Sequence, residues 1–396
     1  MTQPRAAAGP GTAAGPGLAA GPKERSPLAR AFVPVGSLAL LIGMLALVLA
    51  SAGNTLGYDY HCYEGAAQAL RDGRPIYDVA FSVNVGTCPG TYTYPPFFAA
   101  VLVPWLSLGG AAAGLWCVAM AACFLAGVAL LPVRRDVRWL IVIVAALDWP
   151  LLYAVKLGLG EPLLFLGFAA AWRWMDRAEV VGGVTAIGAL VKGQPALLGV
   201  WAIATGRFRA AGIAVAVVVV AAAASARVTG VDAWTTYATL VRDLGGQLTT
   251  PHNFAPGAVA HLAGAPDALA AAIQLASAAL AVAALLAAWR FAGPELSLMV
   301  TIVASQLISS PLRDHYAVLL LLPTAWLVQR GRTWAVVFPL LGWLSLFGSD
   351  APLPAATVPI TFFACLAALM WEVRAEARRT KPEPATPPLR SPVGQS

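Results

Sequence analysis

The chain has 396 residues, 59% of them apolar and only 11% charged, with a formal net charge of +7 and a mean hydropathy of +0.72. A soluble domain carries about a quarter of its residues as charged ones, so an ordinary water-soluble globule is excluded. A nucleic-acid binder is excluded too, because the basic residues stand singly beside apolar runs rather than in a patch.

In chain order, residues 1 to 30 are rich in Gly, Ala and Pro and cannot build a core, and the segment from 374 to 396 reads the same way. Both are expected to be disordered cytoplasmic tails around one membrane domain, residues 31 to 373. The run "VPVGSLALLIGMLALVLA" (33 to 50) is long enough to cross ~30 Å of hydrocarbon as a helix, whereas barrel strands would be ~10 residues of alternating pattern. It is too long, and too far behind the tail, for a cleaved signal peptide. The fold class expected is therefore an all-α polytopic membrane protein.

Basic residues gather on the cytoplasmic side of short loops. Placing Arg134/Arg135/Arg138, Arg173/Arg177, Arg207/Arg209, Arg290 and Arg330/Arg332 inside, with both termini, fixes the alternation of the remaining runs. Spans are expected at 31 to 52, 110 to 131, 138 to 154, 160 to 175, 208 to 228, 267 to 290, 296 to 310, 315 to 330, 333 to 349 and 353 to 373. A short pair, 180 to 191 and 195 to 206, is broken at "KGQP". The total is about ten to twelve helices. "YPPFFAAVLVPWL" is read as a helix lying at the outer interface. Three segments then share the outer face: a first loop at 53 to 109, a second at 229 to 266, and the turn "SSPLRDHY" (309 to 316). All four histidines, His61, His252, His261 and His315, fall in these segments.

Candidate chemistry sits in the same places. Asp59, beside Tyr58 at the end of the first apolar run, is a carboxylate whose charged form an apolar boundary disfavours, as a general base near neutral pH requires; the competing reading is an N-cap for the helix "DYHCYEGAAQALRDG". Arg313 offers a planar fork of donors to a phosphate and His315 can hold or shuttle a proton, with Asp314 between them; a snorkelling Arg paired with Asp314 is the alternative. Lys192 lies inside an apolar run, where a cation usually faces a polar cavity or an anion; a structural, snorkelling lysine is the alternative. Glu161, at a helix start, is explained by the helix dipole alone. His252 and Asn253 lie in the second outer segment. Cys62 and Cys88 share the first outer loop and could form a disulfide or remain two thiols. Cys117, Cys123 and Cys365 lie in apolar spans as core residues. No D-x-D or E-x-D pair follows the first helix, no Cys/His cluster has metal spacing, and no Walker or G-x-G-x-x-G loop is present, so neither a metal nor a nucleotide cofactor is expected.

Four stretches together resemble glycosyltransferase family 87, the polyprenol-phosphate-mannose-dependent mannosyltransferases of the GT-C membrane fold. They are "YDYHCYEGAAQALRDGRPIYD" (58 to 78), "YTYPPFFAAVLVPW" (92 to 105), "GALVKGQPALLGVWAIATGRFRAA" (188 to 211) and "SQLISSPLRDHYAVLLLLP" (305 to 323). The sequence departs from the family's pattern at Leu159 and Glu161, and at Arg313 and Asp314.

The resemblance implies a GT-C-like bundle with the outer loop after helix 1. It also implies transfer of a sugar, mannose in that family, from a polyprenyl-phosphate donor to a hydroxyl of an envelope glycolipid or glycan. The reaction would run with inversion and without metal, at the extracytoplasmic face of the cell membrane. Asp59 would be the base and His315 the second catalytic residue, near the donor phosphate or relaying the proton, with Arg313 and Lys192 also at the departing phosphate and Asp314 a substrate contact. Tyr58, Tyr94, His252, Asn253 and Glu161 are the other expected substrate contacts. The bilayer, the donor and the acceptor are the expected partners. An arabinofuranosyltransferase-type relative and a transporter or flippase are the alternatives.

Overall fold

The computed structural model describes residues 27–77, 92–245, 248–249, 252–309, 311–347 and 351–379. Within these the chain is helical and has no strand. The two tails expected at the ends lie outside the described residues apart from their inner edges. The helix α1 (Pro27–Ala50) already begins at Pro27.

Helices that face lipid reveal themselves by apolar exposure. α1, α10 (Phe208–Thr229) and α13 (Asp267–Phe291) bury only 17%, 17% and 28% of their spanning windows. They leave Leu47, Val220 and Leu275 more than half exposed. In water such faces would be sticky patches, and in a bilayer they are the solvated surface. Ala112–Leu130 (α4) and Pro352–Arg379 (α17) complete the set of long apolar helices.

The centre is built from shorter pieces. α14 (Pro294–Ile308) is buried at every position from Leu296 to Leu307. α15 (Leu321–Gln329) is buried from Leu321 to Val328 and continues a 3-10 helix over Asp314–Leu320. Helices this short do not each cross the hydrocarbon at 1.5 Å per residue. Among the described residues five helices are long and apolar enough to cross alone, or six with one bent pair. That is fewer than the ten to twelve spans expected, because several apolar runs, among them Ala178–Val191 and Pro294–Ile308, form helices of under 18 residues.

Three local differences from the expected pattern stand out. The expected straight span at 138 to 154 is two helices, α5 (Arg135–Ala146) and α6 (Trp149–Leu157), bent by 65° at Leu147 and Asp148. Pro150 in the first turn of α6 cannot extend the preceding helix. The second outer segment is largely helical, with α11 (Val231–Gly245) and α12 (Pro256–Leu262). α17 runs through Arg379, past the expected tail boundary at 374. Its last turns are tied down by Glu372 to Arg332 at 2.9 Å, by Glu376 to Arg330 at 3.0 Å, and by Glu376 accepting from the Gly293 N–H.

The segment expected as an interfacial helix, 94 to 106, leads into α4, and Pro96–Leu130 together make one apolar stretch of 35 residues long enough to cross a membrane. α3 (Pro96–Leu102) leads into a 3-10 stretch, Val103–Ala111, that kinks at Gly109 (φ 54°, ψ −137°) just before α4. α2 (Tyr58–Arg71) lies over this platform. It buries Tyr60, Tyr63, Ala66 and Ala67 against Phe98 and Trp116 and turns its polar face outward. α7 (Glu161–Arg173), α8 (Ala178–Val191) and α9 (Leu197–Ala204) pack between α4, α10 and α14.

Candidate active site

Five backbone breaks converge on one cavity of about 1000 Å³. Its wall takes Asp59 from the first turn of α2, Tyr94 from the segment before α3, Lys192 and Gln194 from the break between α8 and α9, His252 from the segment before α12, and Arg313 to Tyr316 from the start of the 3-10 helix. Polar backbone and side chains meet here because a break at membrane depth must be satisfied by protein or line a wet cavity.

α2 is capped by Gly57, in left-handed conformation at φ 64°, with no side-chain capping hydrogen bond. The N-cap reading of Asp59 therefore does not hold: it stands two residues past the cap, in the first turn, and lines the cavity. The Gly57 N–H donates to the Lys156 carbonyl at 2.8 Å, tying the start of α2 to the end of α6. Burial raises the Asp59 carboxyl above its usual range and the Glu161 charge adds to this, against the lowering pull of His315, Lys192 and Arg313.

Glu161 is 1% exposed and does not line the cavity, contrary to its expected place among the substrate contacts. It is the counter-ion behind the wall. One of its oxygens meets the Lys192 ammonium in an ion pair and lies 3.5 Å from His315 Nε2. His315 Nδ1 is 3.4 Å from Asp314, whose carboxylate also accepts the His315 backbone N–H at 2.8 Å. The Lys192 ammonium sits 4.1 Å from the Tyr316 ring centroid, a cation–π contact that holds it in place. Lys192 therefore does not snorkel. Its extended backbone (φ −154°, ψ 133°) turns it into the protein, onto Glu161.

Asn253 is the second expected substrate contact that the structure moves out of the cavity. Its side-chain oxygen accepts from Ala255 N–H at 3.0 Å and Leu312 N–H at 3.2 Å, and Phe254 N–H donates to the Leu312 carbonyl at 2.8 Å. Asn253 thus clamps the turn that carries Arg313 to His315. Beside it, His252 holds φ 54°, an uncommon backbone state for a residue with a side chain.

Tyr58 and Tyr94 both line the cavity. Tyr94 is fixed by the Tyr63 hydroxyl, which donates to its own at 2.8 Å, and by the Tyr77 hydroxyl, which donates to its carbonyl at 2.6 Å. Cys62, also on the wall, is disulfide-bonded, and Cys88 lies outside the described residues. His61 and His261 stay on the surface, paired with Glu64 at 2.9 Å and Asp267 at 3.0 Å.

Sequence reading missed Tyr153, Lys156, Gln194 and Tyr237, all of which line the cavity. For Lys156 the signal existed: "WPLLYAVKLGLG" places a cation inside an apolar run, the same feature that singled out Lys192. One side of the wall is aliphatic, with Leu157, Leu197, Ile308 and Leu244 beside Val200 and Val241, which are about half exposed on α9 and α11. The cavity thus joins a charged end to an apolar flank.

Fold and site together define a polytopic membrane protein with a charged, tyrosine-lined cavity open toward its apolar exterior. Residues 92–311 match glycosyltransferase family 87, and the chain, more than half of it covered, belongs to that family. It is a membrane glycosyltransferase. No curated protein and no solved structure matches it. Asp59 and the Arg313 to His315 turn lie outside the matched stretch, so their roles rest on the cavity.

Proposed function

We propose that the enzyme moves a sugar, mannose, from a polyprenyl-phosphate donor to a hydroxyl of an envelope glycolipid or glycan, with inversion, at the extracytoplasmic face of the cell membrane. The observation that carries this reading is the meeting of Asp59 and His315, far apart in sequence, on one cavity that is cationic at one end and aliphatic toward the lipid. An amphiphile with a phosphate head fits such a wall. The clustering of basic residues at the opposite loops supports the sidedness.

In this reaction the acceptor hydroxyl attacks the anomeric carbon while Asp59 takes its proton. The bond from that carbon to the phosphate oxygen breaks, and its electron pair leaves with the polyprenyl phosphate. Charge grows on that oxygen, where preorganised donors matter most, and Arg313 and His315 are the groups placed to meet it. A raised carboxyl pKa suits Asp59 to act near neutral pH.

The test is purified protein in lipid with radiolabelled polyprenyl-phosphate-mannose and a panel of envelope glycolipid acceptors. Mannosylated product from the wild type, lost in Asp59→Asn and His315→Ala, supports the reading. Turnover only with an arabinofuranosyl donor changes the sugar. Movement of lipid across the membrane without a consumed donor rejects the enzyme reading.

A further inference from the structure

Three cations border the cavity, and they are not equivalent. Lys192 is committed to Glu161 and held over Tyr316. Arg313 is engaged within the protein. Lys156 lines the cavity half-buried, and no carboxylate among the described residues lies within ion-pair distance of its ammonium. It sits in the last turn of α6, where the helix dipole favours a cation only weakly. A half-buried ammonium on a cavity wall, with no carboxylate among the described residues at ion-pair distance, suits an anionic ligand.

Lys156 is also firmly placed. Its carbonyl accepts from Gly57 N–H, two residues before Asp59, and the Trp116 indole donates to the Gly158 carbonyl at 2.7 Å. Gly158 holds φ 73° with room for no side chain, since a Cβ there would stand 2.9 Å from that of Tyr60. The end of α6 and the start of α2 therefore move as one piece, carrying the cation and the acid together.

We infer that Lys156 is a substrate-binding residue that takes the terminal phosphate of a polyprenyl phosphate, as a point charge complementing the Arg313 fork. Lys192, expected in that role from sequence, is instead neutralised by Glu161. The inference rests on the donor chemistry proposed above and adds the residue that holds its phosphate.

The probes are farnesyl phosphate, farnesol and inorganic phosphate, bound to the full chain in nanodiscs. Wild-type protein should prefer farnesyl phosphate to farnesol by at least tenfold. Lys156→Met should remove most of that preference with farnesol affinity unchanged, and Lys156→Arg should restore it. A second measurement needs no variant: farnesyl phosphate should protect Lys156 from amine acylation, read by mass spectrometry, at concentrations where farnesol and inorganic phosphate do not. An unchanged preference in Lys156→Met, or acylation indifferent to farnesyl phosphate, overturns the inference. Equal protection by inorganic phosphate overturns the lipid assignment. If the wild type still turns over polyprenyl-phosphate-mannose, either result leaves the proposed function standing. Absence of both turnover and farnesyl phosphate binding removes both.

Discussion

Replacing Glu161 by Gln keeps the shape of the wall but strands the Lys192 ammonium. The glutamate is 1% exposed and the lysine side chain 13%, so water cannot substitute for the lost charge. Breaking a buried pair from one side costs about 3–5 kcal/mol, and the lower end applies because Lys192 borders the cavity. Glu161→Gln and Lys192→Met are therefore each expected to destabilise by about 3 kcal/mol. The double variant should recover most of this, giving a coupling energy well above the ~0.5 kcal/mol within which independent sites add. Denaturant unfolding in mixed micelles, followed by tryptophan fluorescence, measures all three. Single effects below ~0.5 kcal/mol, or a double variant equal to their sum, would show that the pair is not the anchor described here.

Asp59→Asn should lower kcat by about 10²–10⁴, the range for a lost general base, while donor binding persists. Because the carboxyl is raised and must be ionised to act, wild-type activity should switch on with rising pH through a point above the ordinary aspartate value of 3.8, and Asp59→Asn should lose that limb. Asn253→Ala leaves two buried backbone N–H groups without their acceptor and should cost about 1–3 kcal/mol, read by the same unfolding assay. Gly158→Ala forces a side chain into left-handed backbone at about 1–2 kcal/mol and presses on Tyr60, so kcat/KM should fall along with stability.

The lipid-facing helices were legible in the sequence because a spanning helix reports itself by length and apolarity alone. The limits of α10 and α13 agree with the expected spans within a residue or so. The central pieces were not legible as what they are. α14 and α15 are as apolar as the long helices, and their short length and complete burial come from packing that the sequence does not print. At the site, Asp59, Lys192 and His315 stood out as polar groups at apolar boundaries, and the structure brings them together. Glu161 and Asn253 could not be sorted from substrate contacts, since their hydrogen-bond partners lie 31 and 59 positions away.

The charged residues on and behind the wall of this cavity share one local feature: each stands where a helix starts, ends or breaks. Asp59 opens α2, Lys156 closes α6, Glu161 opens α7, Lys192 separates α8 from α9, and Asp314 opens the 3-10 helix leading to α15. Continuous helices satisfy their own backbone and need no water, so a bundle made only of them would have nowhere to keep these charges. Gly188 shows how the break is built. A Cβ there would stand 2.5 Å from the ring of Pro195, so the chain folds back tightly and delivers Lys192 to Glu161. The short helices and the breaks between them are thus the same elements that make room for the charged end of the cavity.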